Sequence, residues 1–138
     1  MWLGVPGNGT AGSTYDQLEL SNISARTCTL YGFPGVSAAG PDGRQLGTAA
    51  SRDYSDPIRL VTLRPGATAH AVLRLVDVGN FPPAACRPAT ALGLRVYPPN
   101  DRRPVVLPYP FPACRKTGPV YLYVRTTAGG TGIPGFSQ

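Results

Sequence analysis

Cys28 could support nucleophilic catalysis together with His70, the single histidine of the chain. A cysteine nucleophile needs a base that generates its thiolate. Cys28 lies in the alternating run TCTLY, on the same face as Leu30, and no spacing brings His70 near it. The sequence therefore favours a buried free thiol at Cys28, with a Cys28-dependent hydrolase or transferase as the minor alternative.

Metal and phosphate chemistry has little support. Asp53 and Asp56 share the loop RDYSDP, where closely spaced oxygen ligands can hold calcium, but the sequence favours a solvated loop in which Asp56 caps the turn before Pro57. The segment GNGTAG lacks the Lys-Ser/Thr that follows a phosphate-binding loop, and no Gly-x-Ser-x-Gly elbow occurs. We therefore expect no cofactor, no bound metal and no enzymatic activity.

Three cysteines, Cys28, Cys86 and Cys114, allow three pairings and an all-reduced state. If LGLRVY and PVVLPY form a hairpin around PPNDRR, Val96 lies near Val105, and the same register carried outward places Cys86 almost opposite Cys114. This geometry favours a Cys86–Cys114 bridge. Closing about 28 residues would contribute roughly 3–4 kcal/mol in a chain-entropy treatment, and the bridge would imply an oxidising compartment.

Aromatic residues and arginines are concentrated in the last third of the chain. Outward aromatic rings beside arginines can bind a glycan or a peptide; the alternative is that the rings pack over the sheet and under the proline-rich segments. A protease-inhibitor-like module is another alternative, with the disulfide-braced loop 108–116, PYPFPACRK, as a substrate mimic. The candidate binding face consists of Tyr97, Tyr109, Phe111, Tyr121, Tyr123 and Arg95.

The elements that must position these residues are short strands between turns, since 17 glycines and 16 prolines punctuate the chain. Apolar residues alternate in YDQLELSN, LGLRVY and VYLYVR, which predicts half-buried strands. About eight such runs at roughly ten-residue spacing predict an all-β fold, an antiparallel two-sheet immunoglobulin-like or fibronectin-like sandwich of about 7–9 short strands. The alternation predicts that Leu92, Leu94 and Val96 point inward and that Tyr121 and Tyr123 point outward.

The expected domain boundaries and the net charge restrict the classes of function further. We expect one domain over residues 1–126 and a flexible tail over residues 127–138. The net charge of +6 comes from scattered single arginines, which predicts a basic surface without a nucleic-acid tract. The sequence has no apolar run of about 18 residues, so no membrane span is expected. The segment MWLGVPGNGT has no signal-peptide pattern, so the protein is either cytosolic or has lost a leader.

The motifs RTCTLYGFPGVSA, GRQLG, LRPGATAHAVLRL, GNFPPAAC and GLRVYPP…VVLPYPFPAC occur in this order. In this order they resemble an actinobacterial family of secreted or lipoprotein domains of unknown function, found for example in streptomycetes, with the patterns CTLxGxPGVS, LxPG and GLRVYPP. The resemblance covers about residues 15–125. It implies an extracellular or envelope-facing β-sandwich with a leader or lipid anchor on the full-length form. It also implies that all three cysteines belong to the family pattern, and it supplies no catalytic residues.

The sequence thus predicts a non-enzymatic extracellular or cell-envelope module that binds a protein or a cell-wall glycan.

Overall fold

The structure is a computed structural model that describes residues 2–4, 9–10 and 13–131, with side chains from residue 15 onward. Its strands are β1 (Trp2–Gly4), β2 (Gly9–Thr10), β3 (Ser13–Ser21), β4 (Cys28–Tyr31), β5 (Gly35–Ala39), β6 (Gln45–Leu46), β7 (Ser51–Asp53), β8 (Leu60–Leu63), β9 (Thr68–Val76), β10 (Pro88–Tyr97), β11 (Val105–Cys114), β12 (Leu122–Arg125) and β13 (Ala128–Gly129). A 3-10 turn (Val78–Asn80) and the short helix α1 (Pro83–Cys86) precede β10.

The strands form three sheets that share one core. One sheet has the order β1-β3-β9-β12-β7, with β2 beside β3 and β13 beside β9; a second has the order β11-β10-β5-β6; and β4 pairs with β8 in a two-stranded ribbon. All pairings are antiparallel except that of β12 with β7. Eight of the described strands have four or more residues. The predicted all-β sandwich is confirmed.

Period-two alternation explains most of the core. In β9 the residues Ala69, Ala71 and Leu73 are buried, whereas the residues between them are half-buried or exposed. The ribbon follows the same rule, because Val61 and Leu63 of β8 enter the core and the residues that alternate with them face solvent. Each sheet therefore contributes one apolar face to a common interior.

Two turns that punctuate the sequence have different roles. GPDGR closes the hairpin between β5 and β6, where the Gly40 N–H donates to the Arg44 carbonyl at 2.9 Å. RPGA also joins two strands, but these strands do not pair with each other: β8 pairs with β4, and β9 pairs with β3. The Pro-Gly turn therefore carries the chain from the ribbon into the largest sheet.

The hairpin of β10 and β11 has the predicted register at its inner end, with Val96 opposite Val105. The register then shifts between Ala91 and Gly93, and this irregularity rotates Leu92 outward, where it is 50% exposed. The prediction that Leu92 points inward is therefore wrong, because strict alternation takes no account of a bulge.

The segments VVL and PYPFPAC form one continuous strand, β11, rather than a strand followed by a loop. The strand tolerates Pro108, Pro110 and Pro112 because it lies at the edge of its sheet. The Leu107 carbonyl and the Tyr109 amide lie close to Gly93 of β10, whereas the prolines remove no hydrogen bond from an interior ladder. Residues 108–114 therefore do not form the loop on which the protease-inhibitor alternative depended.

The Cys86–Cys114 disulfide is present, as predicted. It joins the last residue of α1 to the last residue of β11, and both cysteines are fully buried. The Lys116 amide donates to the Cys86 carbonyl at 3.0 Å, which holds the two segments together beside the bridge. Cys28 is the free cysteine.

The ordered fold extends past the predicted domain boundary at residue 126. Thr127 is buried and its amide donates to the Gly32 carbonyl at 3.0 Å, and β13 then pairs with β9 opposite His70 and Ala69. The rest of the predicted tail, residues 132–138, lies outside the described residues.

We expect Gly93→Ala to lower the free energy of unfolding by about 2 kcal/mol, because the new methyl group would overlap the Leu107 carbonyl oxygen and force the hairpin apart. Urea denaturation would measure the change. Gly129→Ala is the matched control, since an added methyl group there meets no atom within 4 Å. Equal stability of the two variants would contradict the close approach of β10 and β11.

Replacing Cys86 and Cys114 together with Ala should lower the free energy of unfolding by roughly 3–4 kcal/mol, because the unfolded chain loses a constraint. Cys28→Ala is the control and should change stability less, since Cys28 is half-buried and unbridged. Thermal unfolding under non-reducing conditions would rank the variants. An equal loss of stability in the Cys28 variant would show that the bridge is not the dominant constraint.

Candidate binding surface

The residues that suggested nucleophilic chemistry lie on different elements. Cys28 of β4 is half-buried, lies opposite Leu63 and packs against the core. His70 of β9 faces away from the core, and its Nδ1 lies 2.8 Å from the Gly130 carbonyl oxygen. No contact between Cys28 and His70 occurs among the described residues. The described part of the chain also contains no group of three or more His, Cys, Asp or Glu residues that could hold a metal ion.

The two aspartates of RDYSDP are bound by neighbours within the protein. Arg125 Nε lies 3.4 Å from Asp53 Oδ2, and a second nitrogen of Arg125 lies 3.9 Å from Asp56 Oδ2. The Ser55 hydroxyl and amide both donate to Asp53 Oδ1. These Ser55 hydrogen bonds, assisted by Arg125, hold the pKa of Asp53 below its ordinary value. The loop is thus tied to β12 by charge.

Two members of the predicted aromatic face lie in the core. Tyr121 is 0% exposed and its hydroxyl donates to the Leu46 carbonyl at 3.0 Å, so the predicted outward orientation of Tyr121 is wrong. Burial raises the pKa of Tyr121 to about 12. Phe111 is also buried and lies tilted against Tyr109, with the ring centroids 5.9 Å apart. These rings contribute packing area to the interior.

The other four members are spread over both layers of the sandwich. Arg95 lies over the Tyr97 ring, 5.5 Å from its centroid, and donates to the Tyr97 hydroxyl and to the Gly43 carbonyl, each at 3.0 Å. Tyr123 lies on β12 in the other sheet, beneath Arg74. Tyr109 donates its hydroxyl to the buried Asp16 of β3. The structure therefore does not bring the six residues together on one surface.

An exposed apolar pair lies instead on the outward face of the ribbon. Tyr31 of β4 and Leu60 of β8 are directly opposite each other, and they are 52% and 64% exposed. The next cross-strand pair, Thr29 with Thr62, is also exposed. The ribbon thus buries its Leu30–Val61 face and presents an apolar pair with two threonines to solvent.

The loop before β8 carries further exposed apolar residues. Tyr54 is 66% exposed and its ring contacts Phe33 edge-on, with the centroids 5.0 Å apart. Phe33 follows Tyr31 by two residues, and Ile58, which is 37% exposed, precedes Leu60 by two. We call the exposed residues of this region the ribbon patch: Tyr31, Tyr54, Ile58 and Leu60.

A groove follows the edge of β8 that faces away from β4. It consists of two adjoining depressions of about 540 Å³ and about 490 Å³, which share Thr62 and Gly129. Residues of β8 form one wall, and residues 127–130, which include β13, form the other. We call this feature the β8 groove. Leu60 belongs both to its lining and to the ribbon patch, so the two features are continuous.

The charge of the β8 groove is positive. Arg59 lines one depression and Arg64 the other, and neither forms an ion pair with a residue that the structure describes. The one acidic residue of the lining, Asp56, is near Arg125. Two guanidinium groups therefore remain available along the groove.

The comparison with protein families shows which family the chain belongs to. The family described as Domain of unknown function (DUF4232) matches residues 3–129. The chain belongs to the DUF4232 family. The comparison with curated proteins found no match, and neither did the comparison with solved structures. The predicted membership of a family of domains of unknown function is confirmed, and the match includes β13, which the predicted domain boundary had excluded.

The ribbon patch of this DUF4232 domain was missed because its signal is weak in the sequence. In IRLVTL four of the six residues are apolar, so alternation does not reveal which of them face solvent. The informative sign is the alternation within the strand: Val61 and Leu63 are buried, and Leu60 and Thr62 face solvent.

No helix of the described residues has the length and apolar character to cross a membrane.

One buried carboxylate of the DUF4232 domain stands apart from these surfaces. Glu19 of β3 is 5% exposed, lies opposite His70 of β9, and its Oε2 has no hydrogen-bond partner among the described residues. Burial raises the pKa of Glu19 from 4.5 to about 7. The folded state therefore favours the protonated carboxyl group.

The stability of the domain should consequently depend on pH through Glu19. Below about pH 4.5 Glu19 is protonated in both states; between there and about pH 7 the folded state holds a proton that the unfolded chain releases, so stability falls as pH rises through this window. We expect Glu19→Gln to raise the melting temperature at pH 8 and to leave it nearly unchanged at pH 4.

Asp101→Asn, a change at an exposed carboxylate, is the control for this experiment. Differential scanning fluorimetry from pH 4 to pH 8 would give both profiles. A Glu19 variant whose profile runs parallel to that of the unmodified protein would contradict the assignment.

Proposed function

We propose that this domain is a non-enzymatic binding module that acts in the extracellular space or the cell envelope and recognises a partner protein through the ribbon patch. The observation that carries the proposal is the cross-strand pair Tyr31–Leu60, which is more than half exposed on a regular strand pair. Contiguous exposed apolar residues next to a groove are typical of protein-interaction sites.

The way in which the patch is held favours recognition. Tyr54 is supported by the Phe33 ring, and Phe33 in turn lies under Arg52, whose guanidinium carbon is 5.3 Å from the ring centroid. Tyr31 and Leu60 are fixed by the β4–β8 ladder. A patch built on ordered strands loses little conformational entropy when a partner binds, so more of its contact energy contributes to affinity.

The location outside the cytoplasm is supported by the buried Cys86–Cys114 bridge, because structural disulfides form and persist in oxidising compartments. The resemblance to secreted or lipid-anchored actinobacterial domains supports the same location. A non-enzymatic role is supported by the neutralised Asp53 and Asp56, and by the separate positions of Cys28 and His70 among the described residues.

Recognition of a cell-wall glycan is the second candidate function. Arg95, held between the Gly43 carbonyl and the Tyr97 hydroxyl, presents a fixed guanidinium beside an aromatic ring. Such a pair can contact a sugar ring and an anionic group together. This site lies on β10 and is separate from the ribbon patch.

The test is binding of the purified domain to two preparations from the organism that encodes it: solubilised envelope proteins and protein-free cell wall. We expect binding to the protein preparation, reduced about tenfold or more by Tyr31→Ser combined with Leu60→Ser, because exposed apolar anchors dominate such interfaces.

The matched control combines Leu92→Ser with Val106→Ser, which removes two other exposed apolar side chains. This variant should bind as well as the unmodified domain. Equal binding by the Tyr31/Leu60 variant would refute the ribbon patch as the site. Binding to the cell wall alone, lost on Arg95→Ala, would favour the glycan alternative instead.

A further inference from the structure

We infer that the β8 groove binds an extended acidic peptide segment of the partner protein, which adds to the free edge of β8 as an extra strand. This inference rests on the proposed function, because it names the mode by which the partner is recognised. It arises from three properties of the groove: an unpaired strand edge, two unpaired arginines and a wall of small residues.

The strand edge is the first property. In an antiparallel pair, alternate residues direct their N–H and C=O groups to the partner strand, and the residues between them direct theirs to the opposite side. β8 pairs with β4 on one side, and its other side lines the groove. No described strand pairs with that edge. Its peptide groups are therefore available to an incoming extended chain.

The edge of β11 shows the contrast. Pro108, Pro110 and Pro112 lie in the edge strand β11 and have no N–H to donate, so a peptide cannot form a regular ladder there. β8 contains no proline, and its outward residues Leu60 and Thr62 can contact the alternate side chains of an added strand.

Charge selects the kind of peptide. Arg59 and Arg64 flank the four residues of β8, one at each end. Asp56 is the one acidic residue of the groove lining, and it is near Arg125. Neither groove arginine therefore has a carboxylate partner among the described residues. Peptide carboxylates at both ends of the added strand would complement these guanidinium groups, and the net charge of +6 would favour the encounter.

The opposite wall leaves room for side chains. Ala128 and Gly129 of β13 are exposed and small, and an added methyl group at Gly129 would meet no atom within 4 Å. The wall is anchored at both ends, by the Thr127 amide on the Gly32 carbonyl and by the Gly130 amide on the Thr68 carbonyl, each at 3.0 Å. The groove is thus a fixed channel along a strand.

The experiment uses an end-blocked, fluorescein-labelled hexapeptide with Glu at both ends and Val-Thr-Val-Thr between them, titrated with the full chain by fluorescence anisotropy. Two companion peptides separate the contributions: one has Lys in place of Glu, and the other keeps Glu but carries N-methyl groups on alternate amides. We expect the acidic peptide to bind with a Kd below about 1 mM, and each companion to bind about tenfold more weakly or not at all.

Arg59→Glu combined with Arg64→Glu should abolish binding of the acidic peptide and increase binding of the Lys peptide. Arg102→Glu combined with Arg103→Glu makes the same change in net charge in the exposed turn between β10 and β11, and it should leave the acidic peptide bound. Circular dichroism would verify that both variants are folded.

The inference is overturned if the acidic peptide does not bind, if N-methylation leaves its affinity unchanged, or if both arginine variants lose binding equally. Any of these results, obtained while Tyr31→Ser with Leu60→Ser still reduces binding to envelope proteins about tenfold or more, would leave the proposed function intact and remove only the strand-addition mode. If the Tyr31/Leu60 variant and the groove variant both bind envelope proteins as well as the unmodified domain, the proposed function itself is contradicted.

Discussion

The antiparallel ladder between β3 and β9 is the constraint on which the rest of the fold depends. It runs without interruption from the Ser13–Val76 pair to the Ser21–Thr68 pair. Its inward positions match large with small residues, since Leu18 lies opposite Ala71 and Leu20 opposite Ala69, and all four are fully buried. Every other strand of the large sheet, β7 excepted, pairs with β3 or β9, including β13, which forms the far wall of the groove. Misregistration of this pair by one residue would turn the core face outward and displace that wall.

A second constraint connects the two layers of the sandwich. Asp16 of β3 is fully buried, and it accepts a hydrogen bond from the Tyr109 hydroxyl of β11 in the opposite sheet. Burial, together with this bond to Asp16, raises the pKa of Tyr109 above its ordinary range, so the hydroxyl remains a donor. A buried carboxylate is costly unless it is hydrogen-bonded, and the bond fixes which part of β11 lies against β3.

The sequence was sufficient to predict those features that depend on local pattern. Alternation predicted the half-buried strand β3, and hairpin register predicted the Cys86–Cys114 bridge. Features that depend on long-range partners were not predictable. The burial of Tyr121 depends on the Leu46 carbonyl, and the exposure of Leu92 depends on a bulge.

The candidate site was the least predictable part, for the same reason. Because aromatic residues and arginines are concentrated in the last third of the chain, the binding face was expected there. In the structure Phe111 and Tyr121 are instead buried between the sheets. The ribbon patch arises from the pairing of residues 29 positions apart, Tyr31 and Leu60, and from the ring contact of Phe33 with Tyr54. Composition and periodicity describe single segments, so neither identifies a surface assembled from several.

The Cys86–Cys114 bridge also determines what a single cut in the backbone would do. The bridge encloses β10, β11 and the turn between them, and Arg102 and Arg103 are exposed in that turn. A protease specific for basic residues could cut this exposed turn, because exposed turn tips are preferred sites of proteolysis. The two fragments would remain joined by a covalent link at one end of the hairpin and by the β10–β11 ladder along it. The ribbon and the groove lie outside the enclosed segment, so the nicked molecule would keep both in place.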